Sequence, residues 1–181
     1  MARKETITKT DILNAAFEMT REEGFEHVTA RTLAAKAGCS TQPIFRVYKN
    51  MEELGKELFE QVISYFNTYY ENYPKNYDTP FVNLGLAYIG FAQKNPKLFR
   101  LLFDSENRQG KSLYDILNGT NGAVVKEINS AAQGGCKNPS VIFMKMWIFI
   151  HGAACMSLTG DYDLSEEETV SLLEEAYKSF I

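Results

Sequence analysis

An all-α fold is predicted by three features of this 181-residue sequence. Apolar residues recur at intervals of three and four, no strand-like alternation persists beyond a few positions, and glycine or proline breaks separate the helical stretches. With 45% hydrophobic and 23% charged residues, the composition is globular, and a chain of this length buries roughly 70% of the surface its unfolded form exposes. Nine helices are expected, without an internal repeat.

The first, over 7–23, places Ile12, Leu13, Ala16, Phe17 and Met19 on one stripe and stops at Gly24, a residue suited to a left-handed terminator. Thr29 is the expected N-cap of a short second helix over 30–37, with Leu33, Ala34 and Ala37 inward and Gly38 ending it. Ser40 or Thr41 caps a third that runs to 47, with Pro43 tolerated in its first turn. Asn50 caps a long fourth helix, which has Glu52 and Glu53 in its first turn and closes before Pro74. After the break at 74–80, a fifth helix is expected over 80–94 and a sixth over 96–103, followed by a polar loop. The seventh covers 112–132, weakened by Gly119 and Gly122; Gly134 and Gly135 break the chain again. Pro139 opens the apolar eighth helix, which runs to about 158, and Ser165 with Glu168 forms a capping box for the ninth, over 166–180.

Nineteen basic residues against 23 acidic ones give a net charge of −4, which excludes a uniformly basic nucleic-acid coat and leaves room for a local patch. Cys39, Cys136 and Cys155 are widely spaced, without a Cys-x-x-Cys pair or neighbouring histidines, so neither a disulfide framework nor a metal site is expected. The N-terminal Met-Ala-Arg-Lys-Glu has no apolar stretch behind it, and the most apolar run, 142–158, carries Lys145 and His151 and falls short of a span. A cytoplasmic protein without a membrane segment is expected.

Two short helices joined at Gly38-Cys39-Ser40 have the proportions of a helix-turn-helix, whose second helix enters the DNA major groove. From His27 to Met51 the chain carries Arg31, Lys36, Arg46 and Lys49 and no acid, where an even distribution would place about three acids. Thr29, Ser40, Thr41, Gln42, Tyr48 and Lys49 are donor types that grip phosphates or base edges. A solvated surface hairpin in a helical bundle would carry the same pattern.

The residues here also resemble the tetracycline-repressor (TetR) family of transcriptional regulators. The resemblance rests on Ile-Leu-Asn-Ala-Ala-Phe at 12–17, Glu-Glu-Gly-Phe at 22–25, Val-Thr-Ala-Arg-Thr-Leu-Ala-Ala-Lys-Ala-Gly-Cys-Ser at 28–40 and Ile-Phe-Arg-Val-Tyr-Lys-Asn-Met-Glu-Glu-Leu at 44–54. It implies that Thr29 caps helix two and touches phosphate, that 40–48 spans the recognition helix and that Lys49 approaches the DNA backbone. The implied DNA-binding set is Thr29, Arg31, Ser40, Thr41, Gln42, Pro43, Phe45, Arg46, Tyr48 and Lys49. The family usually has Tyr at the position of Phe45, Phe at Tyr48 and Lys at Met51. Two phosphate contacts are thereby lost, and the Tyr48 hydroxyl is the expected replacement for one. A DNA-binding domain over 1–50 (6–66 with the start of helix four) and an effector-binding, dimerising domain over 51–181 follow from the resemblance.

Residues 58–103 are dense in aromatic side chains, which either fill a core or line a cavity. TetR-like proteins bind a small effector within the C-terminal helices, so the resemblance implies an effector set of Phe66, Tyr69, Tyr88, Phe91, Phe103, Trp147 and His151. The segments at 87–103 and 147–152 (Trp-Ile-Phe-Ile-His-Gly) are similar to one C-terminal subtype of the family. His151 reads as a packed histidine with one satisfied nitrogen or as a polar ligand anchor. No catalytic residue is expected: a nucleophile or carboxylate at suitable spacing from His151 is lacking in sequence, and Cys155 reads as a small core hydrophobe.

The eighth helix carries more apolar surface than one buried stripe requires, so a second copy is expected to cover the excess. Trp147, Ile150 and Cys155 are expected to face the subunit's own core, with Phe149, Met156, Val170, Leu173 and Tyr177 toward a partner. The expected function is a homodimeric transcriptional regulator, a repressor, held on a palindromic operator of double-stranded DNA and released by a small apolar or aromatic effector, without cofactor or enzymatic activity. A small-molecule-binding α-bundle enzyme is the alternative, for which the acid-free segment would be accidental.

Overall fold

A computed structural model describes residues 7–105 and 108–181. These form ten α-helices and no strand: α1 (Lys9–Glu22), α2 (Ala30–Lys36), α3 (Gln42–Val47), α4 (Met51–Asn72), α5 (Val82–Lys94), α6 (Pro96–Phe99), α7 (Leu113–Asn118), α8 (Ala123–Gln133), α9 (Pro139–Thr159) and α10 (Glu166–Phe180). A 3-10 turn at Phe25–His27 follows α1, and a π-helical turn at Arg100–Asp104 continues α6.

The helix starts follow local chemistry. Capping boxes pair Thr8 with Asp11, Thr29 with Thr32, Ser112 with Asp115 and Ser165 with Glu168, each satisfying amide groups that the first turn leaves open. Asn50 accepts the Glu53 amide at 2.9 Å at the head of α4. The expected single helix over 112–132 is two helices, because Gly119 and Gly122 both adopt left-handed backbone (φ 54° and 65°). Asn67 stands 2.7 Å from where a Gly119 Cβ would lie, so that corner admits only glycine.

The chain divides into two compact units, Met1–Ser64 with Lys97–Gly110, and Tyr65–Pro96 with Lys111–Ile181. The division falls within α4, and residues 97–110, which follow α5, belong to the first unit. In that unit α1 packs on α2 and α3, and Ile12, Ala16, Leu33, Ile44, Tyr48, Leu54 and Leu58 are buried.

In the second unit α5 packs on α9 and α10, and α8 on α9. Ten of the 13 residues of α5 are buried, so this helix is enclosed on all sides. Its closest crossing is at Gly85, where a Cβ would stand 2.9 Å from Leu173 Cδ1 and 3.0 Å from Ile150 Cδ1. With 21 residues, α9 is long and apolar enough to cross a membrane by length and composition, which the sequence was not expected to reach; it runs instead with Ile142, Phe143, Met146, Trp147 and Ile150 buried in the bundle.

Phe81 precedes α5 with φ 68° and is fully buried. A bulky side chain in left-handed backbone costs on the order of 1–3 kcal/mol, and the neighbours hold it there. Its amide donates to Glu127 Oε2 at 2.6 Å, and Asn83 brackets Tyr77 by accepting the Tyr77 amide at 3.2 Å and donating to its carbonyl at 2.5 Å. Burial pushes the Glu127 carboxyl above its ordinary range, opposed by the Phe81 amide and the charge of Lys75. Burial lowers Lys75, whose ammonium donates to the Tyr70 carbonyl at 2.5 Å.

Two stability predictions follow from these contacts. Gly85→Ala forces a methyl between Leu173 and Ile150, and should cost about 1–3 kcal/mol, typical of overpacking, read as a lowered urea midpoint. Glu127, whose folded pKa lies above the unfolded value of about 4.5, binds more protons folded than unfolded between those two values, so stability falls as pH rises through that window. Glu127→Gln keeps an acceptor for the Phe81 amide and should remove that fall. Urea midpoints at pH 4.5, 6 and 8 test this, and parallel curves for the two proteins would refute it.

Candidate nucleic-acid interface and aromatic cluster

The α2–α3 pair is built by short-range bonds. Thr29 Oγ1 accepts the Thr32 amide at 3.2 Å, Thr32 Oγ1 accepts the Thr29 amide at 2.9 Å, and the Thr32 hydroxyl donates to the His27 carbonyl at 2.7 Å. After α2, Gly38 turns the chain with φ 66°, and the Cys39 amide donates to the Ala34 carbonyl at 2.9 Å. This turn ends α2 and starts α3 at Gln42, with Thr41 at the N-cap position but without a side-chain bond there.

The expected DNA-binding residues separate into two groups. Thr29, Arg31, Ser40, Thr41, Gln42, Arg46 and Lys49 are exposed and Pro43 is half-buried, while the Phe45 ring is 50% exposed. Ser40, Gln42, Pro43, Phe45 and Arg46 line one shallow concavity of about 470 Å³. Arg46 donates to the Ile7 carbonyl at 3.3 Å, and Lys36 pairs with Glu22 of α1 at 2.7 Å. The acid-free segment thus acquires acidic neighbours from other helices, Glu22 at Lys36 and Glu53 of α4, whose Oε2 accepts the Lys49 amide at 2.6 Å.

Tyr48 does not belong with them. It is 1% exposed, its hydroxyl is buried, and the Lys9 ammonium lies 5.1 Å from its ring centroid. Burial and the Glu57 and Glu53 carboxylates raise its hydroxyl pKa. The expected exchange of a Phe45 hydroxyl for a Tyr48 hydroxyl is therefore corrected: Tyr48 ends α3 on the side facing α1 and α4, where its ring fills the core. Accordingly Tyr48→Ala should destabilise by about 3–5 kcal/mol, as large aromatic truncations do. Phe45→Ala should stay within about 0.5 kcal/mol, as surface changes do. Equal shifts in their urea midpoints would show that the faces are misassigned.

In the second unit the aromatic residues form a chain. Tyr69 meets Phe91 at 5.4 Å, Phe91 meets Phe66 at 5.0 Å, Phe66 meets Tyr88 at 6.2 Å and Tyr88 meets Trp147 at 4.8 Å between ring centroids. Trp147 stacks on His151 with a 25° interplanar angle. The Tyr88 hydroxyl lies 2.9 Å from His151 Nδ1, and Cys155 Sγ lies 3.6 Å from His151 Nε2. Both imidazole nitrogens thus have partners. Six of the seven expected effector residues share this unit. Phe103 lies in the other, its ring tilted at 45° to that of Phe99 with centroids 5.0 Å apart.

Phe66, Tyr88 and Phe91 are buried throughout. The Tyr69 hydroxyl is buried without a hydrogen-bond partner among the described residues, and burial, with Tyr73 and Tyr65 nearby, pushes its pKa up to about 12. Beside it a cleft of about 360 Å³ is lined by Tyr65, Thr68, Tyr69, Asn72, Tyr73, Pro74 and Lys94.

Of the residues expected to face a partner, Leu173 and Tyr177 are buried within the second unit. Leu173 packs beside Gly85 and Tyr177 lies 6.2 Å from Phe81, so both belong to the subunit's own core. Phe149 and Val170 are half-buried and Met156 is exposed. The open apolar strip of α9 is instead Val141, Met144, Ile148 and Met156, with Ile148 66% exposed. Their helical spacing was legible in the sequence, but which face α5, α8 and α10 would cover was not.

Two family descriptions match the chain. Residues 12–58 fit the bacterial regulatory proteins of the tetR family, and residues 81–180 fit the tetracyclin repressor-like C-terminal domain. No curated protein matches it. A TetR family protein from Vibrio parahaemolyticus shares 18% identity and a TM-score of 0.69, over 95% of this chain and 97% of its own. A TetR-like transcriptional regulator from Rhodococcus shares 16% identity and a TM-score of 0.67, over 94% and 93%. A TetR transcription regulator from Haloarcula marismortui shares 18% and 0.66, over 94% and 96%. With both parts of the chain matched and the helix-turn-helix in place, the protein belongs to the TetR family of DNA-binding transcriptional regulators.

Proposed function

We propose that the protein is a homodimeric, cytoplasmic repressor that binds a palindromic operator and is released by a small apolar or aromatic effector. The observation that carries this reading is the α3 face: Ser40, Gln42, Pro43, Phe45 and Arg46 gather in one open concavity, in a segment of 25 residues without an acid. Thr29, Arg31, Thr41 and Lys49 are exposed near it in sequence and have the chemistry to hold phosphates. Thr29 would do so from the cap of α2.

The dimer is supported by the exposed apolar side chains of Val141, Met144, Ile148 and Met156 on α9, of the kind a partner surface covers. Phe149 and Val170 are retained as candidates at their margin. Two copies joined there would present two α3 helices to half-sites one DNA turn apart, about 34–36 Å. The effector reading is supported by the Tyr69 hydroxyl: a buried polar group without a partner costs about 1–3 kcal/mol, which a bound ligand would recover. Such a ligand releases DNA only by its differential affinity for the two states, commonly about 1–3 kcal/mol, with α4 as the connecting lever. The protein acts by binding and needs no cofactor or catalytic group for this role.

Selection of bound sequences from random duplex DNA should return a palindrome. On that site Arg46→Ala and Lys49→Ala should each lower affinity and reduce the salt slope by up to about one unit. Phe45→Tyr should bind as well or better, by about 0.5–1.5 kcal/mol where the hydroxyl meets a phosphate. Unchanged salt slopes in both alanine variants refute the assigned face. The double change Met144→Glu, Ile148→Glu places unpaired charge in the strip, which costs several kcal/mol if the strip is covered, and should yield a folded monomer by sedimentation. A variant that stays dimeric refutes the interface.

A further inference from the structure

We infer that the cleft between α4 and α5 takes a carboxylate carried on a small planar ring, with the Lys94 ammonium and the Tyr69 hydroxyl holding the anion. This rests on the effector reading above and names the chemical class of that effector. Every lining residue comes from α4, from α5 or from Pro74 just after α4. None comes from α9 or α10, so the pairing proposed along α9 uses no residue of this cleft.

Its size and walls suit a flat apolar body. A volume of about 360 Å³ lies at the small end of the roughly 300–1,000 Å³ found for ligand sites, which is room for one or two rings. Tyr65, Tyr69 and Tyr73 follow one another at intervals of four on one face of α4. The last two stand 5.9 Å apart between centroids, at 48°. On the α5 side Gly90 leaves the space: a Cβ there would stand 3.0 Å from the Tyr69 hydroxyl oxygen and 3.5 Å from the Tyr73 ring.

The polar groups select the charge of the ligand. The lining carries one cation and no carboxylate. Lys94 is exposed, its ammonium lies 5.8 Å from the Tyr69 ring centroid, and no carboxylate pairs with it among the described residues. The Tyr69 hydroxyl is buried without a hydrogen-bond partner among them. Burial pushes it up to about 12, and burial, with Glu166 and Tyr77 adding to the effect, raises Tyr73 as well. Both hydroxyls therefore keep their protons at neutral pH and can donate. A cleft with an ammonium and unspent O–H donors needs a ligand that brings acceptors, and a carboxylate brings two oxygens and the opposing charge. An organic cation would meet Lys94 as a like charge, and a plain arene would leave the Tyr69 hydroxyl unpaired. Because that hydroxyl holds no hydrogen bond in the free protein, turning the ring toward an anion at Lys94 breaks none.

The test titrates the intact protein with 2-naphthoate and with 2-naphthamide, its neutral counterpart on the same ring, by isothermal calorimetry. Naphthoate should bind about tenfold tighter, as hydrogen bonds to a charged group do. Lys94→Met keeps the apolar stem and removes the charge, and should bring the ratio of the two affinities to about one. Lys94 also stands in the last turn of α5, where a cation balances the helix dipole. That role affects both ligands alike, so the ratio isolates the contact with the anion. Tyr69→Phe should weaken naphthoate about fivefold to tenfold while leaving the Tm of the free protein unchanged or higher, since it deletes a hydroxyl that has no partner. A wild-type ratio near one, no naphthoate binding at millimolar concentration, or a ratio unchanged in Lys94→Met overturns the proposal. Unchanged naphthoate affinity in Tyr69→Phe overturns the part assigned to Tyr69. Operator binding measured alongside distinguishes this failure from that of the effector reading. Naphthoate that binds with the Lys94-dependent preference yet leaves operator binding unchanged supports the anion site and refutes release. Naphthamide that binds as tightly and releases the operator upholds release and overturns the carboxylate.

Discussion

The close crossing of α5 over α9 and α10 at Gly85 governs the second unit. A Cβ there would stand within about 3 Å of Leu173 and Ile150, so only a residue without one lets the helices approach this far. That approach encloses α5 on all sides and sets the positions of the aromatic residues to either side of it along the helix. One turn before Gly85 lies Phe81, against Phe143 at 6.1 Å and Tyr177 at 6.2 Å. One turn after it lies Tyr88, against Trp147 and His151. Once α5, α8 and α10 have covered one side of α9, its remaining apolar residues have nowhere to go but outward.

The same crossing explains why polar groups occur in an otherwise apolar interior. Tyr88 is fully buried, so its hydroxyl needs a partner near the end of its ring, and His151 is within reach on α9. Phe81 is a parallel case at backbone level. Its left-handed conformation is costly by itself, and the carboxylate of Glu127 rewards the amide direction that this conformation creates. In both places a group that would be a liability alone is held by a neighbour from a different helix, and both neighbours are titratable.

The DNA-binding head follows a simpler logic. Its helices are short, seven residues in α2 and six in α3, too short to be stable by themselves. Their stability comes from the Thr29–Thr32 box, from Gly38 and from buried Leu33, Ile44 and Tyr48. With the apolar residues of α3 committed inward, its remaining side chains face out together. Phe45 lies on the exposed face of α3, whereas Tyr48 follows the helix in extended backbone (φ −124°, ψ 133°) and is buried; it is this departure from the helix that separates two aromatics whose spacing of three would otherwise put them on one face.

Much of this was legible in the sequence because it depends on local chemistry. Caps at Thr29, Asn50 and Ser165, terminators at Gly24 and Gly38, and the stripe of Ile12, Ala16 and Phe17 involve residues a few positions apart, whose spacing is the physical signal. The family match rests on the same kind of local pattern. What lay beyond it depends on which helix covers which face. Leu173 and Tyr177 differ from Met144 and Ile148 neither in apolarity nor in periodicity; only the docking of α5 makes the first pair core and leaves the second open. The split of α7 from α8 needed Asn67 to occupy the space beside Gly119, and the partner of His151 at Nδ1 came from 63 residues away. Sequence determined most of the helices, most of their ends and the family, because those follow from short-range bonding and periodicity. Tertiary structure decided which side chains are buried and which meet, because burial is a property of packed surfaces and no single helix carries that information alone.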